Sequence, residues 1–262
     1  MKILIPILLF AGMGLLAGVL LTIASRVFAV KTDPKQEQIA AALPGANCGS
    51  CGFAGCADYA AAVASGKAAP NLCKPGGAPV TDQLGKILGI AVEAGEPMVM
   101  LVHCSGDCTA ARKLYDASAM HSCAAAKAVY SGSGLCSFGC LGLGDCAAVC
   151  DNDAISIHNG IAAVDPDKCT ACGKCAKVCP NALLSLRPKK SKVAVTCVSA
   201  DNGRMTRQAC GNGCIGCRQC IKKCPKEAIS MEQNHAVIHY DQCIGCGLCT
   251  TACPTGAVRK LF

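Results

Sequence analysis

The chain is 262 residues long, room for two conventional domains, yet it holds only 5 Phe, 4 Tyr and no Trp, so side-chain bulk alone cannot build its cores. Its 25 cysteines mark either a disulfide scaffold or a metal protein, and an odd number excludes complete pairing. The formal charge of +8 leaves out any thiolates bound to metal; thiolate-ligated metal sites carry net negative charge, so the basic residues read as counter-charge and no nucleic-acid partner is expected.

Ile3 to Ser25 carries no charge and is long enough to cross a hydrocarbon core of about 30 Å as a helix rising about 1.5 Å per residue. A single N-terminal transmembrane helix (1–30) is therefore expected, with the lipid bilayer as a partner. A cleaved signal peptide is the competing reading; the run is long for one, and Arg26 intrudes beside Val27-Phe28-Ala29. Arg26, Lys31 and Lys35 follow the run and only Lys2 precedes it, which predicts a single-pass protein of the inner (cytoplasmic) membrane with its cysteine-rich domains in the cytoplasm. Gly14-x3-Gly18 would let another helix approach closely. Gly12-x-Gly14-x-x-Ala17, with Asp33 further on, is no dinucleotide fingerprint, because it lies inside the apolar run rather than between a strand and an amphipathic helix.

A polar linker (31–43) leads to a small module (44–77) holding Cys48-x2-Cys51-x4-Cys56-x16-Cys73. These four sulfurs suit one [4Fe-4S] cluster, although a four-cysteine site can also hold zinc. A module this small folds only with such support. A connecting region (78–130) follows, then ferredoxin-like domain 1 (131–188), a basic linker and strand (189–204) and ferredoxin-like domain 2 (205–262). The fold expected beyond the helix is a small 4Fe-4S module and α+β tandem bacterial-type two-cluster ferredoxin domains.

The most specific runs close the chain: Cys214-x2-Cys217-x2-Cys220-x3-Cys224-Pro225 and Cys243-x2-Cys246-x2-Cys249-x3-Cys253-Pro254. Runs of this type occur in bacterial two-cluster ferredoxins, where the fourth cysteine ligates the other cluster. That arrangement implies Cys214, Cys217, Cys220 and Cys253 for one site, and Cys243, Cys246, Cys249 and Cys224 for the other. Domain 1 repeats it with one regular run, Cys169-x2-Cys172-x2-Cys175-x3-Cys179-Pro180, and one stretched run, Cys136-x3-Cys140-x5-Cys146-x3-Cys150. Crossing gives Cys136, Cys140, Cys146 and Cys179, and Cys169, Cys172, Cys175 and Cys150. A short apolar strand follows each run, one unit repeated four times.

Cys104, Cys108, Cys123, Cys197 and Cys210 remain. Cys104 and Cys197 each end an apolar strand, as if a prefix were duplicated; the reading favoured for the five is buried hydrophobic thiols, with a sixth cluster or a redox thiol pair as alternatives. The five histidines show no ligand spacing, and no nucleophile, base or phosphate loop stands out. No catalytic residue is expected in this chain.

The membrane helix, Leu43-Pro44-Gly45-Ala46-Asn47-Cys48-Gly49-x-Cys51-Gly52 and Cys136-x3-Cys140-Leu141-Gly142-x-Gly144-x-Cys146 together resemble the B-subunit family of Rnf electron transport complexes, in its long form with two ferredoxin modules. The resemblance implies an electron-transfer subunit of a translocase with five 4Fe-4S clusters. It implies reduced soluble ferredoxin as donor, other Rnf membrane subunits as partners, NAD+ or a membrane carrier as destination, and coupling to Na+ or H+ translocation. A polyferredoxin subunit of another redox enzyme and a structural zinc protein are the other classes. The basic run Arg187 to Lys192 is either a solvated linker or a docking site for acidic ferredoxin.

Overall fold

The computed structural model describes residues 4–27, 33–116 and 119–261, with side chains of the first helix described for 10–25. Helix α1 runs Leu4–Val27. The membrane-spanning helix, the lipid partner and the single-pass inner-membrane placement expected from it are corrected: among the described residues no helix is long and apolar enough to cross a membrane. Lys2 and Lys31, which set the expected orientation, lie outside the described residues, as does the Arg26 side chain.

The supposed linker is partly helical. Asp33 caps α2 (Pro34–Ala42) by accepting from Lys35 N at 2.9 Å, and Pro34 supplies a pre-set φ in the first turn. Helix α2 packs on α3 (Cys56–Ala64) and α4 (Gly77–Leu88). Ile39, Leu43, Tyr59, Ala60, Val63 and Leu84 form the core between them. The Tyr59 hydroxyl donates to Ala69 O at 2.8 Å and accepts from Leu72 N at 3.2 Å, tying the returning loop to that core.

The first ferredoxin-like module begins earlier than its cysteine runs suggest. Strand β1 (Met98–Val102) pairs antiparallel with β4 (Leu184–Pro188), Met98 opposite Pro188 and Val102 opposite Leu184. Between them lie α5 (Cys123–Ala128), α6 (Asp145–Ala148), the hairpin β2 (Ile155–His158) and β3 (Ile161–Val164), and α7 (Lys174–Val178). The hairpin turns on Asn159-Gly160, both at positive φ (49° and 79°), as a two-residue turn matching strand twist requires.

The second module repeats this plan. Strand β5 (Val193–Val195) pairs with β8 (Val258–Lys260), enclosing α8 (Gly203–Ala209), α9 (Gln219–Lys222), the hairpin β6 (Ile229–Glu232) and β7 (His235–Ile238), and α10 (Leu248–Thr251). The duplicated prefix is thus the opening strand of each module, closed by the last strand.

The basic segment between the modules is structured. Arg187 is buried, its Nη1 donating to Pro188 O, Lys189 O and Ser191 O, so it holds the turn. Lys189 pairs with Asp167 and Lys190 with Glu96, each at 2.8 Å. The modules are also stitched directly: His103 Nδ1 faces Val195 O at 2.9 Å, Arg112 N donates to Ala209 O and Gly211 N to Ala110 O, both at 2.9 Å. A carbonyl can only accept, so Nδ1 of His103 carries the proton and Nε2 accepts from Ser185 Oγ at 2.6 Å.

Candidate metal centres

In the N-terminal module Cys48, Cys51, Cys56 and Cys73 line one cavity of about 10 Å³, walled by Pro44, Tyr59 and Pro75. Gly55, before α3, has no side chain to cap the helix, and Asn47 Oδ1 accepts the Cys56 N–H at 2.8 Å instead. That bond fixes the first helical cysteine against the loop carrying Cys48 and Cys51. Burial pushes the Cys73 thiol up, against the Gly76 amide, and the charges of Cys56, Cys48 and Cys51 add to the rise. Four thiols share one small volume.

In the second module Cys224, Cys243, Cys246 and Cys249 line a cavity of about 20 Å³ backed by Ile229 and Ile238. Burial pushes Cys220 up to about 11, with the charges of Cys214, Cys253 and Cys217 contributing, so these four also share a volume. The fourth cysteine of each run lies beside the other run because α9 and α10 pack together.

In the first module burial drives Cys175 up to about 12, assisted by Cys172, Cys169 and Cys146, and Cys150 and Cys169 pack against its cluster of side chains. The other cup differs from the one drawn on spacing. Its cavity of about 20 Å³ is lined by Cys123, Cys140, Cys146 and Cys179. Cys136 is not in that wall; with Cys104, Cys197 and Cys210 it lines an adjoining cavity where the two modules meet, and Cys140 borders both. Asp145 explains the exchange. Its carboxylate accepts from Cys123 N (2.8 Å), Ala124 N (3.1 Å) and Ser122 Oγ (3.0 Å), stapling the start of α5 beside Cys146. Burial works against the Asp145 charge, but these bonds outweigh it and hold the carboxyl below the usual range.

Backbone amides point at several sulfurs: Ala154 N at Cys150 (3.3 Å), Leu183 N at Cys179 (3.4 Å), Val258 N at Cys253 (3.5 Å) and Met100 N at Cys169 (3.5 Å). Such donors favour thiolate over thiol and tune a cluster's potential. A tetrahedral zinc with bonds of about 2.3 Å needs its sulfurs within about 4 Å of one another. Among the described residues no group of three or more His, Cys, Asp or Glu converges closely enough for a single ion. Cups lined by four cysteines supply the ligand number of a [4Fe-4S] cluster.

Residues 43–75 match a family described as an Fe-S cluster, 162–185 a 4Fe-4S binding domain and 213–257 a 4Fe-4S dicluster domain. The chain is 40% identical over 241 residues to the B subunit of the Na+-translocating ferredoxin:NAD+ oxidoreductase complex of Acetobacterium woodii, covering 92% of this chain and 72% of that one. It belongs to the B-subunit family of ion-translocating (Rnf) oxidoreductase complexes. The B subunit of the proton-translocating complex of Clostridium ljungdahlii is 44% identical over 227 residues (86% of this chain, 80% of that one). The B subunit of an ion-translocating oxidoreductase complex of Methanosarcina acetivorans is 41% identical over 210 residues (80% of each). This chain is thus an iron-sulfur electron-transfer subunit of such a complex. Its N-terminal module sits against the first ferredoxin module: Lys177 Nζ donates to Cys48 O at 2.7 Å and Ser50 Oγ to Ala171 O at 3.3 Å. Ala171 lies between Cys169 and Cys172, so two cysteine cups face each other across that contact.

Proposed function

We propose that this chain takes electrons from reduced soluble ferredoxin and relays them through [4Fe-4S] clusters toward NAD+ within its ion-translocating complex. Five cups would hold them: Cys48, Cys51, Cys56 and Cys73; Cys150, Cys169, Cys172 and Cys175; Cys123, Cys140, Cys146 and Cys179; Cys214, Cys217, Cys220 and Cys253; and Cys224, Cys243, Cys246 and Cys249. When bound, each cluster supplies one-electron transfer without proton or bond chemistry. The residues set its environment. Cysteine thiolates fix position, amide N–H groups on sulfur stabilise negative charge, and buried neighbours such as Ile155, Leu184, Ile229 and Ile238 exclude water.

The observation that carries this reading is the adjacency of the cups. The N-terminal module bonds to the loop bearing Cys169 and Cys172, and Cys175 lies close enough to Cys146 for their charges to interact. A run of neighbouring redox centres suits a relay rather than isolated structural sites. The relatives are named as members of ferredoxin:NAD+ oxidoreductase complexes, which supports the donor and the destination. The test is reduced-ferredoxin-dependent NAD+ reduction by the purified complex with and without this chain. Loss of the activity without it is expected, and an undiminished rate would refute the reading.

A further inference from the structure

Four cysteines outside the five cups converge where the two ferredoxin modules meet. Cys104 and Cys136 come from the first module and Cys197 and Cys210 from the second, and all four line one cavity of about 50 Å³, whose wall is shared with Cys140 of the neighbouring cup. Cups matched by cluster-binding families have less room, about 10 Å³ at Cys48 to Cys73 and about 20 Å³ at Cys224 to Cys249. The convergence is built by main chain. Cys104 and Cys197 face each other in an antiparallel bridge at the ends of β1 and β5, and Ala111 and Cys210 do the same on the opposite wall. Asn212 Nδ2 donates to Ser105 O at 2.7 Å and Thr196 Oγ1 to Ser105 Oγ at 3.1 Å, locking the two cysteine loops together.

The cavity has the features of the other cups. Cys140 N points at Cys104 Sγ at 3.3 Å, and amides of Phe138 and Gly139 serve Cys136 as those of Cys214 and Ser199 serve Cys197. Glycine lets the backbone come close to sulfur: a Cβ on Gly106 would stand 3.1 Å from Cys210 Sγ and 3.8 Å from Cys104 Sγ, and one on Gly139 would stand 3.8 Å from Cys136 Sγ. The thiols sense one another, burial foremost raising Cys136 and Cys197 and the charges of Cys210 and Cys136 respectively adding to it.

We infer that Cys104, Cys136, Cys197 and Cys210 bind a sixth [4Fe-4S] cluster that bridges the two ferredoxin modules. Its neighbours give it a role. Cys104 borders Cys140 of one cup, and Cys197 borders Cys214 of the next, so the cluster stands in the gap between the two halves of the relay. Only Cys108 of the 25 cysteines then has no place in a four-cysteine set.

The inference rests on the reading of this chain as a cluster carrier and is tested separately from it. Iron, sulfide and zinc are counted per chain in the anaerobically purified full-length protein and in Cys136→Ala, Cys197→Ala, the double variant and Cys108→Ala. The wild type should carry about 24 irons, each single variant about 20, the double variant about 20 as well because both cysteines serve one site, and Cys108→Ala about 24. The wild-type count keeps the test valid if a variant fails to fold. About 20 irons in the wild type, one zinc beside 20 irons, a Cys104–Cys197 disulfide, or a further four irons lost in the double variant would overturn it. A colourless wild type would instead defeat the cluster-carrier reading itself.

Discussion

Cys123→Ala separates the geometry from the cysteine spacing most sharply. Spacing alone gives the stretched cup to Cys136, Cys140, Cys146 and Cys179 and leaves Cys123 a buried thiol. The structure puts Cys123 in that wall, with its amide held at 2.8 Å by Asp145. A cubane keeps its four irons only when its ligand set is complete, so Cys123→Ala should lower the iron count by about four. Cys136→Ala should lower it by about four from a different cup, and the double variant by about eight, whereas the spacing-based set predicts four for the pair and none for Cys123→Ala. Iron and sulfide analysis of anaerobically purified protein, with spin counting by EPR after dithionite reduction, reads these differences directly. Full iron in folded Cys123→Ala would refute the geometric argument.

Asp145→Asn keeps the shape but removes the charge that holds Cys123 N and Ala124 N; by the usual worth of charge-assisted bonds it should cost about 1.5–3 kcal/mol locally, measured as faster loss of one cluster's absorbance under chelator. Tyr59→Phe strips the partners of Ala69 O and Leu72 N in the N-terminal core and should destabilise that module by about 1–3 kcal/mol, visible as earlier bleaching of one cluster in a denaturant titration. Gly160→Ala places a Cβ 2.7 Å from Cys108 Sγ at φ 79°, a strained position worth about 1–3 kcal/mol, and should lower the anaerobic unfolding midpoint. Removing iron leaves cysteines with no shared centre to hold them and little apolar bulk around them, so the chelated protein should lose its far-UV signal from the strands as well as its colour.

The regular runs are legible in the sequence because three cysteines at x2 spacing on a tight loop can meet only around one small object. The strands after each run show in their alternation, and the pairing of the modules follows from repetition. Cys123 is not legible, because what brings it to the cup is a carboxylate staple from Asp145, 22 residues away and without a motif. The signal that warns of it is the irregular x3 and x5 spacing after Cys136. The strand ending in Cys104 repeats the one ending in Cys197, yet its partner β4 lies more than 80 residues on, a long-range pairing that local pattern does not encode. Arg187 reads in sequence as part of an exposed basic linker; burial and three carbonyl partners make it the post around which the inter-module turn is built.

The central claim is that this chain accepts electrons from ferredoxin into linked clusters, and anaerobic mixing of the full-length protein with chemically reduced ferredoxin tests it most directly. Bleaching of the visible iron-sulfur absorbance, with appearance of reduced-cluster EPR signals in this chain, is predicted. A chain that dithionite reduces but reduced ferredoxin leaves oxidised would contradict the account.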